Sequence, residues 1–356
     1  MRHTTSLFLV VSVIGLTGAF YQTSAEAQTQ GGNQWVLPRT ADGRPDLQGN
    51  WTNATITPIQ RRRDQGPVYS VEQALRIEGG RAAQTETLNQ PSDPDRVAPP
   101  VGGDGSTGAA GGVGGYNYFW IDAGDKVARF NGELRTSLIV DPPDGRYPPR
   151  TDESRQRMLE AAKLRAQFGQ YDNPENRPLA ERCIVSFGSN AGPPMLPNYF
   201  YNNNYTIVQT PDHIMIMTEM VHDVRIIRMG TRKPLPKSIN PWFGDSWGHW
   251  EGDTLVIETT NFNATQLSQG QLRGATENLK ITERLTRSDQ YTLNYEFTVH
   301  DPETWTDTWS GEVPFTKLPG LVYEYACHEG NYALFNVLSG ARAQEQREGL
   351  RQKPKR

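Results

Sequence analysis

From residue 205 onward the chain is a run of short segments in which apolar and polar residues alternate. They are YTIVQT, IMIMTEM, VRIIRM, TLVIETTNF, LKITERLTRS, TLNYEFTVH, SGEVPF and VYEYACHE. Turn-forming residues separate them, among them Thr210-Pro211-Asp212, Glu251-Gly252-Asp253 and Ser288-Asp289. Neighbouring residues of a strand point to opposite faces, so a period of two buries one face and wets the other. Strands that follow one another this closely have no room for helical crossovers and must pair antiparallel. So many of them in succession curl or close to hide their edges. The expected fold is mainly β, an antiparallel up-and-down barrel, with a β-sandwich as the alternative.

The alternation exposes one anomaly. In LKITERL the residues Leu279, Ile281, Glu283 and Leu285 share one face, and Lys280, Thr282 and Arg284 share the other. Glu283 therefore sits on the apolar face, where a carboxylate needs a partner. Arg284 points away, which leaves Arg225 or Arg228 on a neighbouring strand as the expected counter-charge.

A first strand is expected within residues 46–56, followed by a long, partly helical insertion at about 57–204. Two helices are expected in it, at 70–83 behind Ser70 as N-cap and at 152–167. Residues 118–122 and 136–140 read as strands. Ahead of both, residues 91–115 are rich in Pro, Gly and Ser. Gly103-Asp104-Gly105-Ser106-Thr107-Gly108 matches a dinucleotide fingerprint in letters only, since no strand precedes it and no helix follows.

The amino terminus reads as a secretory signal peptide over residues 1–27. Arg2 and His3 precede an apolar run at 7–20, and Ala25-Glu26-Ala27 supplies the cleavage pattern. A polar leader at 28–45, one β-rich domain at 46–345 and a basic tail at 346–356 complete the expected organisation. The mature chain is expected in the periplasm or medium, without membrane insertion. Its basic residues are scattered, which argues against a nucleic-acid partner. Cys183 and Cys327 are the only two cysteines, and in an oxidising compartment two cysteines pair.

Several blocks resemble a broad family of uncharacterised exported bacterial proteins: RTADGRPDLQGNWT, RTSLIVDPPDGRYPP, GDSWGHWEGDTLVIETTNFN, ENLKITERLTR and YEYACHEGNYAL. The resemblance implies an exported β-rich domain and carries no activity and no site residues. Gly49-Asn50-Trp51 is similar to the G-x-W start of lipocalins, which implies a calycin-like barrel with Trp51 packed across its floor.

Candidate chemistry concentrates in WFGDSWGHWEGDTLVIETTNF at 242–262. In a strand, Asp245, Trp247 and His249 share one face and Ser246, Gly248 and Trp250 the other. This stretch is expected to form a pocket wall with His249 facing the cavity. His249, Asp245 and Glu329 are the candidate acid/base residues, joined by His222 at a hairpin tip. Trp247, Trp250, Arg225, His328 and Tyr332 are the candidate ligand contacts. No HxH, HExxH or CxxC spacing is present, so no metal or other cofactor is expected, although histidines of separate strands can still meet at an ion. The expected function is acid/base chemistry (isomerase, lyase or hydrolase) on a small, partly apolar or aromatic molecule. The alternative is a non-catalytic periplasmic binding protein for a lipid, pigment or glycan.

Overall fold

The computed structural model describes residues 35–349 apart from 92–94, 96, 98–120, 187–191 and 269. The chain divides into two compact units, Met1–Val36 and Leu37–Arg356. The expected signal peptide lies outside the described residues, as do residues 28–34 of the leader, the G-x-G-x-x-G segment and residues 350–356. Of the first unit only Trp35 and Val36 are described, both exposed and irregular.

Among its described residues the second unit has twelve strands and three α-helices. Before the meander come β1 (Gly49–Thr52), β2 (Arg129–Phe130), β3 (Glu133–Leu134) and β4 (Ile139–Asp141). The meander contributes β5 (Asn204–Gln209), β6 (His213–Thr218), β7 (Val224–Met229), β8 (Asp245–Glu251) and β9 (Thr254–Thr260). It continues with β10 (Lys280–Arg287), β11 (Thr292–His300) and β12 (Trp309–Lys317). Their order is β1-β5-β6-β7-β8-β9-β10-β11-β12, and β1 pairs back onto β12, which closes a barrel. β4 is added outside the ring on β12, and β2–β3 form a separate hairpin.

The closed barrel is as expected, with one departure from the up-and-down scheme. A ring of nine strands cannot alternate direction throughout, so one neighbouring pair must run parallel. That pair is β7–β8, joined only at Arg228↔Trp247 and Met229↔Gly248. Residues 230–244 make the return that a parallel connection requires. A second departure is VYEYACHE, which forms no strand. Its backbone pairs with side chains and loops instead: Tyr323 N–H donates to Glu219 Oε1 at 3.1 Å, and Cys327 is tied to Cys183.

Inside the barrel the alternation holds strand by strand. Leu255 and Ile257, Ile281 and Leu285, Tyr295 and Phe297, and Val313 and Phe315 are buried, while their neighbours face outward. Trp51 is fully buried, its Nε1 donates to Leu47 O at 3.0 Å, and the Arg287 guanidinium lies 5.5 Å from its ring. Met195 and Leu196 from the insertion drop into the same core. The barrel is thus filled with side chains, each large one worth about 1.5–3 kcal/mol on burial, and the interior is a core rather than a cup.

Both expected helices form. α1 (Val71–Leu88) carries a capping box in which Ser70 Oγ accepts from Gln73 N and Gln73 Oε1 from Ser70 N. α2 (Asp152–Arg165) is capped by Thr151, whose Oγ1 accepts from Ser154 N at 3.0 Å. α3 (Ala333–Arg347) is a helix that the sequence reading did not anticipate. The 136–140 segment delivers β4, whereas Ile121 and Asp122, the described end of the 118–122 segment, are not in a strand. Among the described residues no helix is long and apolar enough to cross a membrane.

Gly311 is where β4 rides onto the ring. A Cβ there would meet Phe297 Cζ at 2.3 Å and Leu138 O at 2.8 Å. Since one obstacle is backbone, Gly311→Ala is expected to cost about 1–3 kcal/mol. A denaturant midpoint equal to wild type would show that β4 yields freely.

Candidate functional site

The Trp242-to-Trp250 stretch is placed differently from the expectation. The face assignment is right: Ser246, Gly248 and Trp250 lie opposite Thr259, Ile257 and Leu255, whose side chains point into the core. That puts Asp245, Trp247 and His249 on the outside of the barrel. Arg228 pairs with the Asp245 carboxylate and lies 4.2 Å over the Trp247 ring, while Leu235 N–H donates to Asp245 Oδ2 at 2.9 Å. His249 faces solvent, with Nε2 at 3.2 Å from Glu251 Oε1. The density of rings and charges is an external clasp over the β7–β8 seam, and His249 faces no barrel cavity. Trp250 packs partly buried against the core.

Arg225 is likewise not at a mouth. Its guanidinium is 2% exposed and bidentate to Glu283, with Nη1–Oε2 2.6 Å and Nη2–Oε1 2.8 Å. Tyr295 OH donates to Glu283 Oε1 at 2.9 Å and accepts from Met195 N–H at 2.9 Å. The buried carboxylate thus has one of the two expected arginines as partner, although not from a neighbouring strand, since β8 and β9 separate β7 from β10 in the ring. The same network anchors the Met195 segment.

The remaining candidates gather along residues 318–332. Cys183 and Cys327 lie at disulfide distance, S–S 2.07 Å. His222 Nδ1 lies 3.0 Å from Tyr325 O. A carbonyl only accepts, so Nδ1 carries the proton and Nε2 is left basic. Val221 and His222 both adopt left-handed backbone, φ 63° and 47°, a costly conformation for a β-branched residue. Burial, opposed by His222, pushes the neighbouring Asp223 carboxyl up to about 7. His328, Glu329 and Tyr332 are exposed on the same strap, and none of them lines either cavity described below. Among the described residues no group of three or more His, Cys, Asp or Glu side chains is arranged to hold a metal ion.

A cavity of about 420 Å³ opens at the barrel end where β11 finishes and β12 begins. It is lined by Ile59, Gln60, Tyr147, Pro148, Arg150, Gln271 and Trp305, with Gly270 at its edge. Four separate loops deliver them, and the core fixes their positions. Tyr147 stands edge-on to Trp309 at 4.9 Å, and Trp305 packs on Trp309 at 5.9 Å. The Arg150 guanidinium lies 5.4 Å over the Trp305 ring and donates to Ser154 Oγ and Arg273 O. Two buried polar atoms here have no hydrogen-bond partner, Tyr147 OH and Gln271 Oε1. Burial, opposed by Arg150, holds the Tyr147 hydroxyl far above its ordinary pKa, so it remains a proton donor.

A second cavity, of about 490 Å³, lies against the β2–β3 hairpin beside Thr292, Asn294 and Thr316. Its polar groups largely satisfy one another: Glu78 pairs with Lys126 and accepts from Val127 N–H, and Asn294 donates to Asn131.

Sequence reasoning missed Tyr147, Arg150, Gln271 and Trp305. Only Arg150, placed just before the cap of α2, and Trp305, in an acidic turn, carried any local signal. No protein-family model matches the chain, and no curated protein matches it either.

Proposed function

We propose that this is an exported binding protein that holds a small, partly apolar molecule in the cavity beside Tyr147 and Trp305. The observation that carries the reading is the pair of unpartnered buried groups, Tyr147 OH and Gln271 Oε1, in a wall otherwise made of Ile59, Pro148 and Trp305. Buried polar groups left unpaired cost about 1–3 kcal/mol each, and a ligand hydroxyl or amide that reached either of them would relieve that cost. An apolar wall with a few placed polar groups is the usual composition of a ligand site. Among the described residues the cavity's lining has no histidine and no carboxylate, which favours capture over acid/base turnover. Gln271→Trp, which fills the cavity, is expected to abolish the fluorescence gain of N-phenyl-1-naphthylamine that wild type gives. Equal gain in a folded variant would place binding elsewhere.

A second reading keeps catalysis, at His222 and Asp223. It is supported by the left-handed backbone of Val221 and His222 and by an imidazole whose Nε2 is free to act as base beside a carboxyl raised to about 7. Such a pair is matched to proton transfer at neutral pH. Because the folded state favours the protonated Asp223, stability falls as pH rises from its ordinary value of 3.8 to about 7. Asp223→Asn is therefore expected to match wild type near pH 3 and to exceed it by about 1–2 kcal/mol above pH 7, allowing for partial exposure. A difference independent of pH would remove the acid from this pair.

A further inference from the structure

We infer that the ligand of the Tyr147–Trp305 cavity is a small organic anion with a planar apolar body, its acidic head on Arg150. The inference rests on that cavity being a ligand site and adds the chemical class. It starts from an imbalance of charge. Arg150, Arg157 and Arg273 lie close enough for the last two to depress the Arg150 pKa, behind the larger effect of burial. Among the described residues none of the three forms an ion pair. Arg150 donates to Ser154 Oγ and Arg273 O, and Arg157 to Glu303 O and Thr304 Oγ1.

Among the described residues the one carboxylate acting on Arg150 is Asp301, beside a weaker effect of the Tyr147 hydroxyl. Its carboxylate is 2% exposed and already accepts from Thr276 N–H and Oγ1, Thr304 Oγ1 and Glu303 N–H. Arg150 and Arg157 are partly buried and Arg273 is exposed. Partly buried arginines without an ion-pair partner raise the local potential, which an incoming anion relieves. Guanidinium is also the side chain best shaped for a planar acidic group. The unpartnered Tyr147 hydroxyl adds a neutral donor. Ile59, Pro148 and Trp305 line the same cavity with largely apolar surface, which asks for a ring or chain behind the head group. A free inorganic ion would leave that wall wet.

The test is calorimetric titration of the full chain with matched probes: 2-naphthoate, 1-naphthyl phosphate and the neutral 2-naphthalenemethanol. Naphthoate or naphthyl phosphate is expected to bind at least tenfold more tightly than the alcohol, and the stronger of the two identifies a carboxylate or a phosphate head. Raising salt should erode that preference. Arg150→Gln should abolish it, so that in this variant neither anion binds more tightly than the alcohol, with the thermal midpoint confirming that the variant is folded. Arg157→Gln, away from the wall, should reduce the preference only in part. Equal or tighter binding of the alcohol by wild type would overturn the anion and leave the cavity reading standing. Absence of binding by all three probes at millimolar concentration would overturn both.

Discussion

Glu283→Gln is expected to lower the stability by about 3–5 kcal/mol, the cost of leaving one half of a buried ion pair uncompensated. The substitution keeps the shape and removes the charge. Arg225 would stay among Ile216, Tyr205 and Tyr295 with both Nη atoms facing an amide. Tyr295 OH would lose its charged acceptor, and with it a link to Met195 would weaken. Replacing both members, as Arg225→Met with Glu283→Leu, should recover much of the loss, because well-packed apolar residues commonly match a buried pair. A thermal midpoint unchanged in Glu283→Gln would count against burial of the pair.

Removing the disulfide should be the other large effect. Cys183 and Cys327 are 144 residues apart, and in the loop-entropy account a bridge of that span is worth about 4–5 kcal/mol. Free-thiol titration of the denatured, unreduced wild type should find none. In Cys183→Ser/Cys327→Ser the segment at 318–332 should open first. Its remaining ties are single hydrogen bonds, such as Asn50 Nδ2 to Gly320 O, Tyr323 N to Glu219 and Asn331 Nδ2 to Glu181 O. Limited proteolysis should cut there before the barrel unfolds. Cleavage that begins within β9–β12 instead would contradict this order.

The barrel was legible because period-two alternation is a local signal that survives in the fold. It identified Glu283 as buried and narrowed its partner to two arginines, of which Arg225 is the one. The cap of α1 was legible for the same reason, since Ser70 acts within one turn, whereas Thr151, which caps α2, was not singled out. Strand alternation also placed Asp245, Trp247 and His249 on one face, but it does not say which face is inside. That depended on β8 pairing with β9 in a register that puts Gly248 opposite Ile257. Aromatic density then misled, because Trp247 serves Arg228 on the outer wall. The parallel β7–β8 pair follows from the count of strands in the ring, which no segment reveals alone. The cavity was illegible because Gln60, Tyr147, Gln271 and Trp305 come from four loops whose spacing in the chain carries no geometry.

The central claim is that the cavity beside Tyr147 and Trp305 holds a small molecule. Native mass spectrometry of the protein, purified gently from the cells that produce it, tests this most directly. One small-molecule adduct per chain is predicted for wild type, released on unfolding and missing from folded Gln271→Trp. A bare chain in both proteins, or the same adduct retained by Gln271→Trp, would contradict it.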